Sequence, residues 1–112
     1  MQPIERKSID WEKTGKQLLL IREDNINLRK QVCKALKHDK GDCSGACDNC
    51  KFDMDNHISR KELAKVFCVS ENVIFNWENG RTAVDYENLL FYEQLCGRPV
   101  NEIVVMREKP NA

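Results

Sequence analysis

The sequence predicts an all-α fold, and three observations carry that expectation. Apolar residues recur three, four or seven positions apart along most of the chain. Residues that cap helices (Asp10, Ser59, Ser70 and Asp85) stand just ahead of those stretches. Gly and Pro together number seven in residues 1–100, too few for a chain of short strands and many turns. The 112 residues fit one domain, 1–112, able to bury a modest core.

The first helical stretch opens at Asp10, which reads as its N-cap. Trp11, Leu18, Ile21, Leu28, Val32 and Leu36 share one stripe. Lys13, Lys16, Arg22, Arg29 and Lys30 read as its wet face. Asn25-Ile26-Asn27 is a weak place, so the stripe reads as one long helix or as two. Residues 38–57 lose periodicity and turn small and acidic, as a loop does. A loop of about twenty residues inside a compact domain needs something to order it. Ser59 and Glu62 then form an S-x-x-E capping box ahead of Leu63, Val66 and Phe67. Cys68-Val69-Ser70 interrupts. Ser70 caps a third, short helix with Val73, Ile74 and Trp77 apolar, and Asn79-Gly80 stops it. Asp85 caps a fourth helix through Leu89, Leu90, Tyr92 and Leu95, ended by Gly97. Pro99 starts a last short helix with Val100, Ile103 and Val104. Residues 104–112 read as a tail. The expectation is about five helices.

Charge and cysteine are unevenly spread. The chain has 18 Lys plus Arg against 18 Asp plus Glu, a net of zero. By segment the net is +4 over residues 1–37, −3 over 38–57, +1 over 58–82 and −2 over 83–112. A polyanion would therefore favour the first and third segments. Cys43, Cys47 and Cys50 form a CxxxCxxC run, Cys33 lies ten residues before it, and Cys68 and Cys96 are isolated. The apolar runs, such as Leu18–Ile21, are far too short to span a bilayer, and the N-terminus has no signal-like segment. These points predict a cytoplasmic protein, reduced thiols and no membrane partner.

Ser59 to Gly80 reads as two helices joined by a three-residue turn. That geometry lets one helix brace while the next lies across a major groove. The run ISRKELAKVFCVSENVIFNWENGRT resembles the Cro/C1-type (XRE family) helix-turn-helix domain of phage repressors and bacterial regulators. It agrees with that family's pattern at Ser59, Glu62, Leu63, Ala64, Val69, Ser70, Ile74, Trp77, Glu78 and Gly80. GKQLLLIR (Gly15 to Arg22) is similar to the family's first helix, and DYENLLFYEQLCGRPVNEIV to its fourth and fifth. Two positions depart: Cys68 stands where the family usually has Gly, and Arg60 where a Gln commonly touches phosphate.

The resemblance implies a lambda-repressor-like fold and double-stranded DNA as partner. It implies that Glu71, Asn72, Phe75 and Asn76, with Ser70 ahead of them, form the base-facing side of a recognition helix. Asn pairs with adenine, Glu accepts from cytosine, and Phe75 would meet a thymine methyl. Arg60, Asn79 and Arg81 fall where the family clamps phosphates. Leu63, Ala64, Val69, Ile74 and Trp77 read as core, and Glu78 as a structural acceptor. A homodimer is expected, because one such unit reads a half-site. Val100 to Met106 and the aromatics of Tyr86 to Tyr92 are dimer-surface options. The recognition helix holds no Lys or Arg. That keeps open a protein-interaction adaptor or antitoxin on the same fold.

Relative to the family, the chain between the first and second helices is far longer, and Cys33, Cys43, Cys47 and Cys50 lie in that insert. Four thiolates suit one structural, tetrahedral Zn²⁺, with His38 or His57 as substitutes for Cys33. Such a metal would order a polar loop that cannot order itself. A four-cysteine Fe–S cluster, in a metal or redox sensor, is the alternative. CxxxCxxC is also the spacing of radical-SAM enzymes, but this chain is too short for their barrel. Cys68 and Cys96 read as small buried hydrophobes. Two His and scattered acids assemble no catalytic constellation, so no enzyme is expected.

Overall fold

The computed structural model describes residues 7–36 and 58–107. Six helices occur among them: α1 (Trp11–Asp24), α2 (Ile26–Leu36), α3 (Arg60–Phe67), α4 (Glu71–Glu78), α5 (Tyr86–Cys96) and α6 (Val100–Ile103). The expected count of about five rises to six because the first stripe divides. Asn25 adopts an extended backbone (φ −78°, ψ 115°) and closes α1 through its N–H on the Ile21 carbonyl. Its side-chain Oδ1 accepts from Leu28 N at 2.8 Å, so the same residue starts α2. The stripe survives the break: Leu18, Ile21, Leu28 and Val32 are all buried, with Trp11 and Leu36 packed at its ends.

Capping sets the other boundaries. Asp10 accepts from Lys13 N at the head of α1. Ser59 and Glu62 complete a reciprocal capping box on α3, and Asp85 accepts from Asn88 N on α5. α2 packs against α1, α3 and α5, so this helix is part of the core and no appendage. Phe67 of α3 lies between rings at its centre, with centroids 5.7 Å from Trp77, 4.7 Å from Phe91 and 4.7 Å from Tyr92. The stretch after α6 also takes part. Ile9 and Met106 form an isolated antiparallel bridge, Asp10 N donates to the Val105 carbonyl, and Val105 N donates to the buried Thr14 hydroxyl.

Three expectations are corrected. Arg22 is no part of a wet face: it is 8% exposed, because a buried acid 56 positions away holds it. Cys68 is no core residue. It is exposed, and its φ of 57° puts it in the left-handed region as the C-cap of α3. A β-carbon there costs about 1 kcal/mol relative to Gly. Tyr92 is fully buried and leaves Tyr86, 67% exposed, as the open ring of α5. Cys96 is buried, as expected. Burial raises its thiol pKa above the usual range. Cys43, Cys47, Cys50, His38 and His57, and with them the expected metal loop, lie outside the described residues.

Candidate nucleic-acid interface

The sequence places α4 by building its two neighbours first. α3 ends at Cys68, whose N–H reaches the Lys65 carbonyl, while Val69 N reaches the Ala64 carbonyl at 3.0 Å. This left-handed exit turns the chain tightly. Ser70 then has an extended backbone and accepts from Val73 N, which starts α4 after a short turn. Ile74 and Trp77 bury one side of α4 in the core. The opposite side is thereby turned to solvent.

The C-terminal end of α4 is held against α1 by an ion pair and two glycines. Glu78 is buried, and its Oε2 accepts from Arg22 Nε at 2.6 Å. Its Oε1 accepts from Arg22 Nη2 at 3.0 Å and from Arg60 Nε at 2.8 Å. Arg22 Nη1 donates to the Ile58 carbonyl at 2.9 Å. One carboxylate thus joins α1, α3 and α4, with both of its oxygens satisfied. Glu78 is a structural acceptor, as expected. Gly15 explains how α1 comes so close. A β-carbon at this position would sit 2.5 Å from the Glu78 carbonyl oxygen and 2.7 Å from that of Trp77. Gly80 has φ +69°, and a β-carbon there would sit 2.7 Å from the Glu12 Cα. Only glycine meets both demands.

The other side of α4 carries the residues singled out above. Ser70, Glu71 and Asn72 are exposed, and Phe75 and Asn76 are half-buried. Arg60, Ser70, Glu71, Asn72 and Phe75 line one shallow groove of about 470 Å³. Arg81 lies beside it, with its guanidinium carbon 5.4 Å from the Phe75 ring centroid. The Arg60 guanidinium carbon is 5.2 Å from the same centroid. Asn76 takes part through its backbone, accepting from Arg81 N at 2.9 Å. Asn79 is exposed, and its side-chain amide donates to the Phe75 carbonyl at 2.8 Å, tying down the end of the helix. All eight residues expected at DNA therefore sit on or around α4.

Sequence reasoning missed the parts that aim this face. Arg22 and Gly15 belong to the site because they position α4, yet neither lies in the helix-turn-helix run. Cys33, the metal candidate within the described residues, is buried in the last turns of α2. No group of three metal-competent side chains occurs among the described residues.

Residues 54–103 match a family model described as Helix-turn-helix. The helix-turn-helix match spans α3 to α6 and excludes α1 and α2. No curated protein and no solved structure matches the chain significantly. The position of α1 therefore rests on its packing against the helix-turn-helix. Among the described residues, no helix is long and apolar enough to cross a membrane.

Proposed function

We propose that the chain is a sequence-specific DNA-binding transcriptional regulator of the Cro/C1 type, with α4 lying in the major groove. The observation that carries this is the placement of Ser70, Glu71, Asn72 and Asn76 on the open side of the helix-turn-helix, flanked by Arg60 and Arg81. Asn72 and Asn76 offer paired donor and acceptor atoms for adenine, and Glu71 accepts from the cytosine amino group. Arg60 and Arg81 meet backbone phosphates, and Asn79 adds a neutral contact. Glu71 also opposes phosphate, so binding without the right bases is weak.

The proposal extends to two partners. A second copy of the chain completes a two-half-site operator. One tetrahedral Zn²⁺ on Cys33, Cys43, Cys47 and Cys50 stabilises the insert, as a strut with no open coordination position. The protein works in a reducing cytoplasm, where those thiols stay available to metal.

Selection from a random duplex library at low salt tests the reading. One motif is enriched, and Asn72→Ala and Asn76→Ala each relax it at one base position, costing about 1–3 kcal/mol. No enrichment, with neither variant having any effect, overturns DNA reading in favour of a protein partner. Metal analysis of anaerobically purified protein separates zinc from a brown Fe–S cluster. Cys43→Ser and Cys47→Ser each lose the metal and lower the melting temperature; unchanged metal content and melting overturn the strut.

A further inference from the structure

Phe75 is a large apolar ring on the face of α4 that meets solvent, and the simplest use for it is contact with a thymine methyl. The geometry around it points elsewhere. Both nearby guanidinium groups lie over this ring, Arg60 at 5.2 Å and Arg81 at 5.4 Å from its centroid. Those distances are within the roughly 6 Å over which a ring quadrupole attracts a cation. The ring is half-buried.

The two arginines are otherwise held very differently. Arg60 is tethered at Nε to Glu78, whose other oxygen is held by Arg22. Its terminal Nη groups make no hydrogen bond among the described residues, and about a third of its side chain is exposed. Arg81 lies past the end of α4 in an irregular segment and is exposed. Its guanidinium makes no hydrogen bond or ion pair among the described residues, and it lies over the Phe75 ring. A long arginine side chain loses up to about 2 kcal/mol of rotamer freedom when it is fixed. Ordering that side chain before the ligand arrives removes part of this cost from binding.

We infer that Phe75 is a positioning residue: it holds Arg60 and Arg81 as a paired phosphate clamp beside α4 and does not itself read a base. This rests on the DNA-binding reading above and deepens it. It divides the labour of the face. Glu71, Asn72 and Asn76 select bases, while Arg60–Phe75–Arg81 supplies a pre-ordered cationic bracket that α4 lacks within its own sequence. The linked set Arg22, Glu78, Arg60, Phe75 and Arg81 then runs without a gap from the buried end of α1 to the outer face.

Phe75→Leu and Phe75→Tyr test it, read in two ways. In the absence of DNA, the side-chain resonances of Arg60 and Arg81 carry ring-current shifts in the parent protein. Phe75→Leu loses them and Phe75→Tyr keeps them. Shifts absent from the parent overturn the proposal whatever the protein binds. With duplex, Phe75→Leu weakens binding about tenfold on selected and random sequences alike. It also lowers the slope of log K against log salt by about 1 to 2, one for each phosphate that an arginine no longer neutralises. Phe75→Tyr restores both. A weakening confined to one A·T position with the salt slope unchanged makes Phe75 a base reader and overturns the clamp. Normal ring-current shifts with no DNA binding by the parent at low salt remove phosphate as the clamp's target, and overturn the DNA reading with it.

Discussion

At its C-terminal end α4 is dry and crowded: Glu78 is buried on two arginines, and the α1 backbone lies too close for any side chain at Gly15. At its N-terminal end Ser70, Glu71 and Asn72 face solvent beside a shallow groove. The two ends hold acids seven positions apart with opposite fates. Glu78 is a structural pin, and Glu71 is available to a ligand. A helix that must present side chains to a large partner needs a fixed axis and an uncommitted face. Here the axis is fixed from one end and the face is left open at the other.

The sharpest way to break this contrast is to exchange the acids' roles. Glu78→Ala leaves the Arg22 guanidinium buried without its carboxylate, which costs about 3–5 kcal/mol in chemical denaturation. Glu71→Ala on the exposed end changes stability by less than about 0.5 kcal/mol and shifts base preference instead. Equal stability losses in the two variants would erase the contrast. The next largest effect is steric. Gly15→Ala adds helix propensity, yet its β-carbon meets two backbone carbonyls that have no room to move, so the net loss is about 1–3 kcal/mol. A more stable Gly15→Ala protein would show that α1 and α4 are not in close contact.

Tyr92 gives a smaller test of the held end. Burial raises its phenol pKa far above the usual range, and the nearby Glu78 charge raises it further. Its hydroxyl has no hydrogen-bond partner among the described residues. A raised folded-state pKa means that the unfolded chain releases its proton first. The stabilising effect is therefore complete below pH about 10 and is lost as pH rises beyond it. Tyr92→Phe flattens this alkaline loss and gains about 1 kcal/mol at neutral pH, since it removes an unpaired buried polar atom. An unchanged alkaline limb would place the titration elsewhere.

What the sequence made legible was local. Asp10, Ser59, Ser70 and Asp85 cap as their spacing implied, because a cap involves residues three positions apart. The break at Asn25 was visible, and which of two outcomes it takes was not, since that depends on α2 finding room against α3 and α5. The burial of Arg22 was out of reach for the same reason. A charged residue in a helix reads as wet until its partner is known, and Glu78 is 56 positions away. Cys68 misled by its chemistry: cysteine is usually buried, but the left-handed turn position decided its place. On the candidate face, the resemblance carried by Ser59 to Gly80 pointed to Glu71, Asn72, Phe75 and Asn76 together. The two guanidinium groups over Phe75 come from a different helix and a following loop, and no spacing rule connects them.

On the proposed function, α4 meets its ligand with its open face while its far end stays fixed. Amide chemical-shift mapping with the selected duplex tests it directly. The largest changes are expected at Ser70, Glu71, Asn72, Phe75, Asn76 and Arg81, with Gly15 and Leu18 of α1 nearly unmoved. Changes centred on α1 or α2, with Ser70 to Asn76 unaffected, would contradict it.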